Sequence, residues 1–184
     1  LVFRFNNIGY TIAARVLEVL NRRGFEQMMA ERITRPLLMR TTNFFSYTVI
    51  NPAGGAQSSA YDYMNFLSML LNGGVFNGKR ILSEAAIETM MKSSSTQGMI
   101  KETPAILEGK NYAVGQWVLG TDENGKTTTV ACPGLFGTWP LIDYCRKYAL
   151  LFLHLEHLLA RTKNSWLLLK HSSTIKLLLL ANKI

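Results

Sequence analysis

The chain has 184 residues, 48% hydrophobic and 17% charged, and a formal net charge of +8. This is the size of one domain and the balance of a chain able to bury a core, which excludes a disordered tail protein. Two cysteines exclude a disulfide scaffold, Cys132 and Cys145 lack the spacing of a zinc site, and no run approaches the roughly 18 apolar residues of a membrane-spanning helix.

From Ile8 to Leu20, apolar residues recur at three- and four-residue steps, the period of a helix. Asn6 and Asn7 stand where an N-cap belongs and Gly24 where a C-cap belongs. A second helical pattern runs from Phe25 through Ile33 and ends near Pro36, before a polar, aromatic and turn-rich stretch that closes on Pro52-Ala53-Gly54-Gly55. Ser58 or Ser59 caps a third helix, Ala60 to Leu71, stopped by Asn72-Gly73-Gly74; Asp62 in its first turn complements the helix dipole. Asn77-Gly78-Lys79 is a turn, and Ser83 caps a fourth helix through Met91. Residues 93–110 read as loop. Strands are expected at Tyr112 to Leu119, Lys126 to Ala131, Gly134 to Ile142 and Tyr148 to Leu155, with a hairpin turn at Asp122 to Gly125 and with Pro140 marking an edge or broken strand. Helices followed by consecutive antiparallel strands predict an α+β fold, an antiparallel sheet with helices packed on it.

Both ends of the chain are unusual. Residue 1 is Leu, and the first ten residues already read as an interior strand-loop-helix junction, so a preceding segment is expected. All glycines and prolines lie at or before position 140, whereas residues 150–184 hold 13 Leu. Residues 158–184 therefore read as a separate Leu- and Lys-rich tail, helical or a weak peripheral membrane anchor, behind a domain over 1–157. The basic excess is also terminal: residues 1–40 carry seven Arg against three Glu, and residues 142–184 seven basic against two acidic residues. Without a Lys/Arg run or basic-aromatic interleaving, this distribution does not predict nucleic-acid binding. All three histidines, His154, His157 and His171, lie in the tail; His154 and His157 could place two ligands on one helix face but no third is in sight, and the methionines fall at helix-face spacing as core gap-fillers.

Three stretches carry chemistry in combination: Phe5-Asn6-Asn7-Ile8-Gly9-Tyr10 ahead of a helix; Pro52 to Gly55 followed by Ser58-Ser59-Ala60-Tyr61-Asp62-Tyr63; and Cys132-Pro133-Gly134-Leu135-Phe136-Gly137-Thr138-Trp139. Together they resemble the serine β-lactamase and penicillin-binding-protein-like family, in particular its class C-like esterase and peptidase branch, over residues 3 to about 155. The resemblance implies a serine nucleophile in a Ser-x-x-Lys motif, a Tyr-x-Asn motif that helps manage its proton, and a Lys/His-x-Gly strand motif that binds substrate. Tyr-x-Asn maps onto Phe5-Asn6-Asn7, which keeps Asn7 but has no hydroxyl at Phe5. The strand motif maps onto Cys132-Pro133-Gly134, with the Leu135 backbone N–H at the place of an oxyanion donor.

The one Ser-x-x-Lys in the chain, Ser173 to Lys176, lies in the tail, at the opposite end from where the family order would put it. The resemblance thus implies the C-terminal portion of a hydrolase of small-molecule esters, amides or peptides, without its nucleophile segment, inactive alone, and with no cofactor. The alternative is a catalytically inactive binding or regulatory module of the same family. Relatives of this type are often exported, periplasmic or membrane-associated.

Overall fold

A computed structural model describes residues 2–46, 48–95, 97–134 and 137–153, together with the backbone of 176–181. The chain opens with β1 (Phe3–Arg4), α1 (Ile8–Asn21) and the short α2 (Phe25–Met29), which runs into a π-helical turn at Ala30–Thr34. A small hairpin follows, β2 (Phe45–Ser46) and β3 (Val49–Ile50), then α3 (Ala60–Leu71), a second hairpin of β4 (Val75–Phe76) and β5 (Lys79–Arg80), and α4 (Glu84–Met91). After β6 (Ile100–Glu102) come β7 (Asn111–Tyr112), β8 (Trp117–Thr121), β9 (Thr127–Ala131), β10 (Trp139–Asp143), β11 (Tyr148–Leu153) and β12 (Lys176–Ala181).

The last six strands form one antiparallel sheet, in the spatial order β12-β11-β10-β9-β8-β7. The predicted α+β architecture is therefore present. Register puts Val118 opposite Val130, Val130 opposite Ile142, and Ile142 opposite Ala149, and all four are buried. A one-residue slip would send this row to the other face, so burial itself pins the register. Helix α3 lies on β10 and β11. Its buried Met64, Leu67 and Leu71 recur at helical spacing and join Ile142, Ala149 and Leu151 in the main core.

The caps of α3 follow the sequence. Ser59 Oγ accepts from the Asp62 N–H at 3.2 Å. At the other end, Gly74 N–H donates to Met69 O and Gly73 N–H to Leu70 O, with both glycines at positive φ, which is the double-bonded Schellman stop. Asp62 does more than complement a dipole. It is buried, and its Oδ2 accepts from Thr41 N (2.7 Å), Thr41 Oγ1 (2.8 Å) and Thr42 Oγ1 (3.0 Å), clamping the preceding loop to the helix.

Several expectations need correction. The left-handed residue that ends α1 is Arg22 (φ 53°), while Gly24 is extended (φ −66°) and opens α2 instead. The strand expected over Tyr112 to Leu119 is divided into β7 and β8 by a tight turn, closed by Ala113 N–H to Gln116 O with Gly115 at positive φ. Within 93–110, Ile100–Glu102 is not loop but β6, paired in parallel with β1. Strand β10 begins at Trp139 rather than Gly134, and despite Pro140 it is interior, between β9 and β11.

The tail is not helical over Lys176–Ala181, which pair antiparallel with β11 from Leu153 back to Tyr148. Its consecutive leucines lack helical spacing, and an extended backbone needs none. Residues 154–175 and 182–184, including the three histidines and Ser173, lie outside the described residues.

Two measurements test these packing assignments. At Gly74, φ is 92° and an added Cβ would collide with the Leu82 carbonyl oxygen, so Gly74→Ala is expected to cost more than about 1 kcal/mol in urea unfolding. Burial pushes the Asp62 carboxyl upward, but the hydrogen bonds from Thr41 and Thr42 outweigh it and hold its pKa below the ordinary aspartate value. A lowered folded pKa gives stability that is complete above the unfolded value and lost as pH falls through the folded one. Asp62→Asn should therefore be destabilised by about 1–3 kcal/mol at pH 7, with the gap to wild type narrowing below pH 4.

Candidate functional site

Strand β1 hands the chain to α1 through Phe5-Asn6-Asn7. Phe3 pairs with Ile100, Arg4 with Glu102, and Phe5 N–H donates to Glu102 O at 3.4 Å. Asn6 Oδ1 then accepts from Ile8 N–H (3.0 Å) and Gly9 N–H (3.3 Å). Asn6 thus supplies the cap, so the Asn7 side chain takes no part in it. Asn7 keeps a backbone role, its carbonyl accepting from both the N–H (3.1 Å) and the hydroxyl (3.0 Å) of Thr11. Its Nδ2 instead faces the Pro52 to Gly55 turn, where a Cβ built on Gly54 would lie 3.8 Å from it. Two of the three sequence motifs therefore meet at Asn7 and Gly54.

Phe5 is half-buried and sits in an aromatic cluster. Its ring centroid is 6.0 Å from Tyr112 and 5.8 Å from Trp117, which are themselves 4.9 Å apart, with Phe3 4.9 Å from Tyr112 on the other side. Edge and tilted contacts of this kind are each worth about 0.5–1.5 kcal/mol beyond area burial. They fix the end of β1 against β7 and β8. The Tyr112 hydroxyl is hydrogen-bonded to the Tyr10 hydroxyl of α1. Burial first, and that bond second, raise the Tyr112 pKa far above the ordinary phenol value. The phenol beside Phe5 is thus held in its neutral form.

The third motif follows β9. Trp117, touched by Phe5, pairs with Ala131, the residue before Cys132. This places Phe5 and Cys132 at the same end of the sheet. Cys132 N–H donates to Pro140 O (3.2 Å), Gly134 N–H to Thr138 O (2.7 Å), and Gly137 N–H to Gly134 O (3.2 Å). The Cys132-Pro133-Gly134 segment is consequently a tight continuation of the β9–β10 hairpin, with the Gly134 donor already engaged by Thr138. The predicted donor, Leu135, lies outside the described residues, as does Phe136. The Cys132 residue is solvent-accessible, yet burial of its surroundings raises the thiol pKa. Cys132 also adds to the upward shifts of Tyr63 and Tyr112, burial being the larger cause in both.

Sequence reasoning missed Tyr112 as the partner of Phe5 and Tyr10. The available signal was the aromatic content of Tyr112-Ala113-Val114-Gly115-Gln116-Trp117, read as one strand when its turn brings both rings against Phe5. Among the described residues no group of three His, Cys, Asp or Glu side chains could hold a metal ion.

With this geometry established, comparison with known proteins gives a consistent result. The β-lactamase family model matches residues 2–155. A candidate β-lactamase from Bacteroides dorei superposes with a TM-score of 0.69 at 25% identity, over 79% of this chain and 47% of that one. A candidate 6-aminohexanoate-dimer hydrolase from Bacillus anthracis gives a TM-score of 0.62 at 23% identity, over 78% of this chain and 36% of that one. A curated Mycobacterium tuberculosis protein is 27% identical over 113 residues, 56% of this chain and 28% of its own length. The chain thus spans about half the length, or less, of these relatives.

A raised thiol pKa predicts slow alkylation, because the thiolate is the reacting species. With Cys145 replaced by Ser, Cys132 should react with iodoacetamide several-fold more slowly at pH 7.5 than free cysteine, and catch up as pH rises. An equal rate at pH 7.5 would contradict a desolvated thiol.

Proposed function

Because the chain belongs to the β-lactamase family, we propose that it is the substrate-side wall of a serine hydrolase that cleaves an ester or amide through an acyl-serine intermediate. The observation that carries this reading is the placement of Phe5-Asn6-Asn7 and Cys132-Pro133-Gly134 at one end of the sheet, joined by the Phe5–Trp117 contact and the Trp117–Ala131 pairing.

In such a reaction the serine oxygen attacks the acyl carbon and loses its proton to a base. The tetrahedral oxyanion collapses with departure of the alcohol or amine, and water then releases the acid. Within that scheme the Asn7 amide is a neutral donor and acceptor for a polar group of the substrate or of the nucleophile's surroundings. The Leu135 N–H is the proposed oxyanion donor, and Cys132 presents a protonated thiol that can only weakly hydrogen-bond. The substrate class is a small ester, amide or peptide. The Bacillus anthracis relative is named for hydrolysis of the 6-aminohexanoate dimer, which supports including amides.

Specific observations also favour the second reading, an inactive binding or regulatory module. Phe5 offers no hydroxyl, Tyr112 is locked to Tyr10, and the Gly134 donor is spent on Thr138. Under either reading this chain lacks a correctly placed nucleophile. The only Ser-x-x-Lys, Ser173 to Lys176, ends in the strand that pairs with β11.

The 184-residue chain should therefore hydrolyse neither a chromogenic ester nor a chromogenic cephalosporin above buffer, and a fluorophosphonate probe should leave it unlabelled. Turnover that disappears in Ser173→Ala would overturn the assignment and point to a permuted site. A Ser-x-x-Lys encoded upstream of residue 1 would favour the hydrolase over the inactive module, and a continuous upstream reading frame without one would favour the module.

A further inference from the structure

Tyr112 is held from two independent directions. On the backbone side, the segment that follows α4 closes on its carbonyl oxygen. Ser94 N–H donates to that oxygen at 2.8 Å and Ser95 N–H at 3.2 Å, with the Ser94 and Ser95 hydroxyls at 3.1 and 3.3 Å. A carbonyl oxygen has two lone pairs, so this acceptor is saturated. The turn after Tyr112 is tied to the same helix end, because Met90 O accepts from Val114 N–H at 3.3 Å and from Gln116 Nε2 at 3.1 Å. Ile87 of α4 belongs to the main core. The backbone of Tyr112 is therefore referred to the core through α4.

On the side-chain side, Tyr112 brackets the Phe5-Asn6-Asn7 motif. Its ring meets Phe3 and Phe5, which lead into the motif, and its hydroxyl is bonded to Tyr10, on the first turn of the helix that follows. Both ends of the Phe3 to Tyr10 segment thus converge on one buried side chain. Between them lies Asn7, whose side chain takes no part in capping α1, so its place is set by where the backbone on either side is held.

Gly54 reaches the core by another route. Asn51 Oδ1 accepts from Ala53 N–H (3.2 Å) and Gly54 N–H (3.1 Å), and Asn51 N–H donates to Phe44 O at 2.9 Å. The approach of Asn7 Nδ2 to Gly54 therefore has two separate supports, and Tyr112 is the node of one of them.

We propose that Tyr112 is a positioning residue for Asn7: its ring and hydroxyl clamp the backbone on both sides of the motif and so set the Asn7 carboxamide against Gly54. The inference rests on the reading of Asn7 as a residue of the hydrolase site and adds to it the side chain that aims Asn7. Aromatic packing accepts several offset and edge geometries, whereas a hydrogen bond is directional. The Tyr10–Tyr112 hydroxyl pair is accordingly the part of the clamp that fixes the α1 end of the motif.

The test reads Asn7 itself by nuclear magnetic resonance on the isotope-labelled 184-residue chain. The Asn7 side-chain amide pair is identified by its loss in Asn7→Asp, and its nuclear Overhauser contact with the Gly54 α-protons is measured. Tyr112→Phe keeps the ring and removes only the hydroxyl, and it should at least halve that contact. Tyr10→Phe, which breaks the same bond from the other end, should do likewise, and the double variant should lose no more than either alone, because both remove one interaction. Ile142→Val is the control. It loosens the main core, a cluster separate from that of Tyr112, and should leave the Asn7 contact intact despite a lower melting temperature.

An Asn7–Gly54 contact undiminished in either tyrosine variant, or losses that add in the double variant, would overturn the proposal. So would an equal loss in Ile142→Val, which would make Tyr112 one structural residue among many. The contact is read without substrate, so a chain that hydrolyses nothing leaves this test standing, and failure of the test leaves the hydrolase reading untouched.

Discussion

The packing of α3 against the centre of the sheet is the constraint on which the rest of the molecule depends. Met64, Leu67 and Leu71 project from one side of the helix onto Ile142, Ala149 and Leu151, and the register of three strands follows from keeping that row covered. Once β9 is placed, Ala131 must lie against Trp117, and Trp117 in turn gives Phe5 its seat. The position of each site motif is thus inherited from a hydrophobic contact elsewhere. Burial of this kind is non-directional, and the directional terms, the Ser59 cap, the Asp62 clamp and the Gly73-Gly74 stop, decide where the helix starts and ends.

The electrostatics of the site are quiet. Asp62 and Asp143, the buried carboxylates, are both stabilised in their charged forms by structural partners, Asp62 by Thr41 and Thr42 and Asp143 by Arg146. Against the pull of burial, those hydrogen bonds win. The aromatic hydroxyls near Cys132 are shifted the other way, toward the neutral form. A site meant to generate a nucleophile arranges an opposed pair, one group made more basic and one more acidic. Around Phe5 and Cys132 every shift resolved favours the neutral form, with burial as the leading cause.

Much of this was legible in the residues. The α1 period, the serine caps of α3 and α4 and the Asp122 to Gly125 turn are local signals, and each element formed where its signal lay. The family resemblance rested on order and spacing, which survive even where Phe5 and Cys132 depart from the motif. What could not be read was non-local. Pairing of β6 with β1 joins residues nearly a hundred positions apart, and two- and three-residue strands carry no period of their own. The choice of Asn6 over Asn7 as cap, and of Arg22 over Gly24 as terminator, depends on backbone angles that either residue could adopt. The exposure of Ile8, Ile12 and Leu20 on α1 was equally hidden, because periodicity reports that a helix has an apolar side but not which way that side faces.

Pro140 gives the sheet an unequal seam. In the narrow pair formed with Cys132, the proline carbonyl accepts a hydrogen bond, but its ring nitrogen has none to return. That rung is held by the one bond from Cys132 N–H, and it stands at the boundary between the covered row of Val130 and Ile142 and the segment carrying Gly134. The pairing of β9 with β10 at this step therefore rests on the Cys132 N–H alone, and its register is inherited from the covered pair of Val130 and Ile142.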